Sequence, residues 1–482
     1  MSGLTRYPGS FPGRPELKRT GIKVRRNGHM GKKRIIEKER LLFDNKALAA
    51  LILPLIVEQF LAVLVGMADS VMVASVGEAA VSGVSLVDNI MVLFTNLFAA
   101  LATGGAVISG QYLGQKNEKQ ASRAATQLVW FTTIVAVVIM VIIYCGKWFV
   151  LHVVFGQIDA DVMRHADIYL MIVTASIPFI ALYNAGAAVF RAMGNSRVSM
   201  QVAMVMNVVN VAGNAILIYG FHRGTEGVAI PTLVSRITAA VLIIILLCKE
   251  KNVVHIEKTF RYRPEWPMVR RILGIGIPNG LENSMFQLGK IIVLSLVSTV
   301  GTYAIAANAV CNAVANFQVL PGIAINLAVT AVIARCVGAG DYEQAEYYTK
   351  KLIRLGYVSM WAVNIIVLLL IPLILWAYSL SDITAQTART IMYWHCASAC
   401  VIWPISFMLP STLRAAGDAK VTMVISLASM WTFRIVFSYV LAGYLGLGVL
   451  GVWFAMFIDW LVRAVCMTLR YKSGKWKLIH SI

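Results

Sequence analysis

The chain has 482 residues, of which 59% are hydrophobic and 14% charged, with a mean hydropathy of +0.73 and a formal net charge of +20. A chain of this composition exposes apolar surface along nearly every long segment, which excludes a water-soluble globular fold and places it in a bilayer. The basic excess suits either nucleic acid or a membrane orientation signal, and its distribution decides between the two.

In chain order, residues 1–45 form a basic tail rich in Arg, Lys, Gly and Pro. The tail lacks the apolar core of a cleavable signal or of a folded domain, so disorder is expected there, and Met30 offers a second possible start. Twelve apolar stretches follow, near 47–73, 83–113, 124–146, 166–188, 198–220, 227–248, 272–297, 304–336, 353–376, 391–412, 421–443 and 449–469. Each is long enough to cross a bilayer as a helix of roughly 20 residues, and none shows the ten-residue alternation of a barrel strand. A polar connector at 249–271, interrupted by Pro264 and Pro267, divides an N-lobe (46–248) from a C-lobe (272–470), and residues 471–482 make a basic end.

Of the 43 Lys and Arg, about 35 fall on the side of the N-terminus and about 4 on the other. Because the charge follows loop parity, it reads as an orientation signal rather than a nucleic-acid surface. Both termini are expected in the cytoplasm, in a plasma (inner) membrane. There is no P-loop pattern and no extramembrane segment large enough for a nucleotide domain, so energy is expected from an ion gradient and no cofactor is expected. The seven Cys stand singly, mostly within spans, and read as packing residues rather than metal ligands or disulfides.

The chain is built twice. Pro54, Glu58, Gly77, Gly114, Gln120 and Ala121 are answered about 224 positions later by Pro278, Glu282, Gly301, Gly338, Gln344 and Ala345. Arg191-Ala192-x-Gly194 returns as Arg414-Ala415-x-Gly417, and Gly227-Val228 as Gly451-Val452. Six spans separate the copies, and an even number returns the chain to the same side of the membrane. The fold expected is therefore all-α and integral to the membrane, with twelve transmembrane helices in two parallel, pseudo-symmetric six-helix lobes and a site between them. Pro54 and Pro278 sit about one turn before the repeated glutamates, where they either loosen the helix or serve packing.

Ionisable groups at membrane depth are costly unless paired, hydrated or facing a cavity, so each is a functional candidate. Those within spans are Glu58, Asp69, Asp88, Arg236, Glu282, Lys290, Arg434, Asp459 and Arg463. Glu58 and Asp69 lie eleven residues apart, which returns to nearly the same helix face about 16 Å further along. Asn207, Asn210 and Asn214 form a single stripe on the fifth span, at the depth of Asp69. A carboxylate among amide oxygens suits a proton or Na⁺, because oxygen ligands fit a hard cation and a dry pocket favours the neutral acid. Interhelical hydrogen bonding is the other reading of the same residues. Glu282 repeats Glu58, with function and inherited packing both open. Asp459 and Arg463, at i and i+4, are expected to neutralise each other.

Several segments together resemble the multidrug and toxic compound extrusion (MATE) family. They are Pro54-Leu-Ile-Val-Glu-Gln, Gly66-Met-Ala-Asp69-Ser, Val76-Gly77-Glu78-Ala79-Ala80 and Gly104-Gly-Ala-Val-Ile-Ser-Gly-Gln111-Tyr-Leu-Gly114, with Phe190-Arg-Ala-Met-Gly194-Asn and its copy Leu413-Arg-Ala-Ala-Gly417-Asp. The match runs from about residue 45 to 470. It implies a two-lobe exporter that alternates between inward and outward openings while exchanging substrate for H⁺ or Na⁺. It also implies that Asp69 corresponds to the first-helix aspartate of the N-lobe cation site, with Asn210 beside it. Many members carry a second aspartate one turn after that asparagine, where this chain has Asn214, and Glu58 is a candidate for the missing charge. Some members use a seventh-helix glutamate, and Glu282 lies on that helix.

The expected function is thus ion-coupled export of amphipathic, often cationic small molecules, with cation-coupling candidates Asp69, Asn210, Asn214, Glu58 and Glu282, any Na⁺ sitting at the first three. Tyr183, Trp403, Phe407 and Trp431 are candidates for lining a substrate cavity by cation–π contact, with bundle packing as the other reading. The expected partners are a small-molecule substrate and membrane lipid, with no nucleic acid, and the expected state is a monomer. A lipid-linked saccharide flippase of the same superfamily is the alternative, for which a more cationic cavity and additional helices are expected. A membrane-embedded enzyme would need a His with a partnered nucleophile or acid, and His395 is the one His well inside a span.

Overall fold

The computed structural model describes residues 41–156, 158–256 and 263–479. The tail of residues 1–40 with the alternative start at Met30, the middle of the connector (257–262) and residues 480–482 lie outside the described residues. Among the described residues every regular element is helical.

The first half comprises α1 (Asn45–Ala74), α2 (Glu78–Gly114), α3 (Glu118–Cys145), α4 (Ala160–Thr174), α5 (Ile177–Ala192), α6 (Ser196–Ala215) and α7 (Glu226–Leu247). The second comprises α8 (Trp266–Val300), α9 (Thr302–Gly338), α10 (Tyr342–Ala377), α11 (Asp382–Val401), α12 (Trp403–Ala415), α13 (Ala419–Ser429) and α14 (Gly448–Lys472). Among the described residues ten helices are long and apolar enough to cross a membrane, and up to twelve spans result when each of two bent pairs, α4 with α5 and α11 with α12, is taken as one span. The protein is a multi-pass membrane protein with the all-helical architecture its composition requires.

The duplicated residues explain the local structure. Gly77 and Gly301 take φ values of 137° and 133° at the turns into α2 and α9, a backbone region that a side chain disfavours. Asn117 and Asp341, also equivalent, cap α3 and α10 by accepting from the backbone N–H of Gln120 at 3.1 Å and Gln344 at 2.9 Å. The repeated prolines behave otherwise than a loosened helix would suggest, since α1 and α8 run through Pro54 and Pro278 without interruption. The large bends, 48° and 43°, fall instead between α4 and α5 and between α11 and α12, where Pro178 and Pro404 open the second helix of each pair. A proline is tolerated in a first turn because its missing N–H has no intrahelical partner to lose. The same rule lets α8 begin at Trp266 with Pro267 next to it, inside the expected connector.

Call the face at which α1 begins the terminal face. There the two halves are sealed together. Gln111 Nε2 donates to the Ala415 carbonyl at 2.9 Å, and Arg335 Nε donates to the Ala192 carbonyl at 3.0 Å. Arg271 donates to Tyr112 Oη at 2.6 Å, and the chain entering α1 is tied to α10 through Leu42 N–H on Gln344 (2.8 Å) and Phe43 N–H on Tyr348 (2.9 Å). At Gly114 an added Cβ would meet the Arg335 carbonyl, and at Gly338 it would meet the Gln111 backbone, so only glycine lets α2 and α9 approach this closely. Further from this face the contact between halves passes through small residues, with Gly276 of α8 against Leu101 and Gly280 against Leu97 of α2.

Candidate functional site

The first-half candidates separate into two groups along α1. Asp69, half-buried near the far end of the helix, accepts from Asn214 Nδ2 at 2.7 Å. Asn210, one turn earlier on α6, reaches the same carboxylate when its amide nitrogen faces it, at 2.9 Å to Oδ1 and 3.2 Å to Oδ2, while its other end meets Thr232 Oγ1 of α7 at 3.2 Å. Asn210 and Asn214 of the α6 stripe are thus turned onto Asp69, as period 3.6 allows. Asn214 is fully buried, and its Oδ1 has no hydrogen-bond partner. An oxygen left this way beside a carboxylate is a ready donor for a hard cation. Asp88 of α2, held by Tyr169 Oη at 2.9 Å, and Arg236 of α7, on Ser176 Oγ at 2.7 Å, both lie within electrostatic reach of Asp69. The sequence offered no pattern for Thr232 or Tyr169, whose polar tips matter only through tertiary contact.

Glu58 is elsewhere. It is buried and accepts from Ser199 Oγ at 2.9 Å, Tyr183 Oη at 3.4 Å and Arg191 Nη1 at 3.5 Å. Its repeat, Glu282, accepts from Arg414 Nη1 at 2.9 Å, and Arg414 also donates to Ser411 Oγ at 3.0 Å. Each glutamate is therefore bound to the arginine of the other duplicated motif in its own half. The signal was in the sequence, because both members of each pair are repeated positions. Glu58 does not join the Asp69 cluster.

Of the aromatic candidates, Tyr183 is buried on Glu58, and Trp403 is buried and stacked on Phe407 with ring centroids 5.0 Å apart. Trp431 is 42% exposed on an irregular turn that follows α13. His395 is buried, with Nδ1 2.6 Å from Gln318 Oε1, in a cage of Trp453, Phe457 and Trp460. Asp459 and Arg463 form the expected pair at 3.4 Å, with Ser429 Oγ donating to Asp459 at 2.6 Å. Among the described residues no group of three or more His, Cys, Asp or Glu could hold a metal ion.

Two halves of like topology, sealed on one face and carrying polar clusters at membrane depth, define a membrane transporter rather than an enzyme. The MatE family profile matches residues 54–216 and again 278–440, once in each half. The chain belongs to the MATE family of transporters. It is 26% identical to the uncharacterized transporter YisQ of Bacillus subtilis over 439 residues, covering 89% of this chain and 94% of that one. It is 24% identical to the probable multidrug resistance protein NorM of Thermotoga maritima over 458 residues, covering 92% and 96%. Its fold superposes on an outward-facing multidrug resistance MATE family transporter of the MOP superfamily with a TM-score of 0.84 at 20% identity, covering 90% of this chain and 97% of that one.

Proposed function

We propose that this transporter exports amphipathic, often cationic small molecules in exchange for H⁺ or Na⁺, by alternating access between its two halves. The observation that carries the reading is the carboxylate of Asp69 with two amide side chains around it, half-buried on the side of the bundle away from the seal. A site that takes up an ion from one face and releases it to the other must change exposure as the bundle rocks, and the half-buried position of Asp69 supports that reading. The multidrug resistance names of several relatives, NorM of Thermotoga maritima among them, support the substrate class. The loop charge asymmetry supports cytoplasmic termini in a plasma membrane, which makes the sealed terminal face the cytoplasmic one and this conformer outward-facing. Glu58 and Glu282, each held by an arginine, fit positioning of the helices around the passage better than carriage of the ion.

The test is efflux of cationic dyes from proteoliposomes with the H⁺ and Na⁺ gradients imposed separately. Export driven by one gradient identifies the coupling ion. Dye movement indifferent to both removes the antiport reading. Twelve spans and a family match that covers both halves do not favour the flippase alternative.

A further inference from the structure

The second half holds a charge cluster that the export reading does not use. Three cations surround the ring of Phe286 on α8. Arg434 stands 4.8 Å from its centroid, Lys290 5.2 Å and Arg463 5.8 Å. Among the described residues the one carboxylate bound to any of them is Asp459, which meets Arg463 at a long 3.4 Å and shares its oxygens with Ser429. Among the described residues neither Lys290 nor Arg434 forms an ion pair. The next acid on the same face of α8 is Glu282, one turn before Phe286, and Arg414 already holds it.

Three positive groups against one negative group is an unstable arrangement within a bilayer. An uncompensated buried charge is strongly destabilising, and a single aromatic ring offsets only a small part of that for each cation it touches. Arg463 is 3% exposed and Arg434 9% exposed, yet Nε of the first and Nη1 of the second have no hydrogen-bond partner. Unsatisfied guanidinium donors at such depth are what a bound anion would satisfy. The backbone around Arg434 also departs from regular helix, widening into π-type turns over Met430–Val436. Such irregularity is frequent at functional sites. Lys290 is exposed and Phe286 partly so, whereas the two arginines lie buried behind them, so an anion would reach the cluster past Lys290.

We propose that Arg434, Arg463 and Lys290 bind an oxyanion group, of carboxylate or phosphate type, carried by an aromatic substrate. The partly exposed ring of Phe286 supplies apolar contact for the aromatic part, and Phe407, stacked on Trp403, backs Arg463 at 5.1 Å. The first half has the opposite polarity, two acids (Asp69 and Asp88) within reach of one base (Arg236). A zwitterion with separated charges matches both halves at once. The proposal rests on the export reading and narrows its substrate class, from amphipathic cations to molecules that also carry a negative end.

The test compares rhodamine B, a xanthylium dye with a free carboxylate, and its ethyl ester, which keeps the cation and loses the anion. Binding is measured by fluorescence anisotropy to full-length protein in nanodiscs, for wild type, Lys290→Gln, Lys290→Arg and Arg434→Gln. The expected result is an acid affinity about tenfold weaker in both Gln variants, the loss of one charge-assisted hydrogen bond, with the ester unchanged and Lys290→Arg retaining wild-type binding. If acid and ester weaken together, or neither weakens, the proposal is overturned. Should Arg434→Gln fail to fold, the exposed Lys290 position carries the test alone. Nanodiscs with and without phosphatidylglycerol separate a substrate site from a lipid one: a preference for the acid that disappears with the anionic lipid assigns the cluster to headgroups and overturns the proposal. Gradient-driven efflux of the ester is scored separately, so the export reading can fail while the anion site stands, and the reverse.

Discussion

Gln111 and Arg335 occupy equivalent positions in the two halves, and each donates to the carbonyl of an alanine in the opposite half, Ala415 and Ala192, which are themselves equivalent. The contact is reciprocal, as it must be when two like-facing copies are related by a two-fold axis along the membrane normal. The glycines obey the same symmetry, Gly114 lying on the Arg335 carbonyl and Gly338 on the Gln111 backbone. Such a seal forms or breaks as a unit, because neither half can withdraw without losing both hydrogen bonds.

Replacing Gly338 by valine puts a branched side chain into the Gln111 backbone and should shift the population away from the conformer closed at the terminal face. Spin labels on α3 and α10 near that face, read by double electron–electron resonance, are expected to report a longer distance in the variant. An unchanged distance distribution with retained folding would count against the seal as a gate.

Arg414→Ala leaves Glu282, a carboxylate 11% exposed, without its partner, and stranding a charge that is mostly buried costs up to about 3 kcal/mol. The variant should unfold at markedly lower temperature or denaturant, and the double variant Arg414→Met with Glu282→Leu should recover most of the loss, since it removes the stranded charge. If the double variant is no more stable than the single one, the pair does something other than neutralise itself.

Asp69→Asn keeps the shape of the side chain and its contact with Asn214 while removing the charge. Gradient-driven efflux should fall to background with the melting temperature little altered. Retained efflux would remove Asp69 from ion coupling.

Asn214→Ala removes the 2.7 Å hydrogen bond to Asp69 and the unpartnered Oδ1 together. Efflux driven by the coupling ion should require a several-fold higher concentration of that ion, because a liganding oxygen is lost, whereas dye binding in the absence of a gradient should be preserved. A loss of dye binding equal to the loss of ion dependence would instead make Asn214 part of the substrate pocket.

Asp341→Ala removes the cap of α10 and the contact from Gln344 Nε2 at 2.8 Å that orients this side chain toward Leu42. The expected cost is about 1 kcal/mol, typical of a lost N-cap, measured as a shift of the thermal midpoint. The matching change at Asn117 should cost a similar amount.

The sequence alone determined twelve apolar stretches long enough to span a membrane and two halves that face the same way, because apolar length and parity of spans are local or additive properties; that Gly114 and Gly338 must be glycine was decided by the approach of α2 to α9. The sequence also brought Asp69, Asn210 and Asn214 to one depth, since helical period and rise follow from position. What only the tertiary structure decided is who meets whom: that Arg191 and Arg414 take the repeated glutamates, that Thr232 closes the Asp69 cluster, and that three cations converge on Phe286. Those pairings depend on the rotation and translation of one helix against another, which are fixed by side-chain packing across the whole bundle and leave no mark in the spacing of any single span.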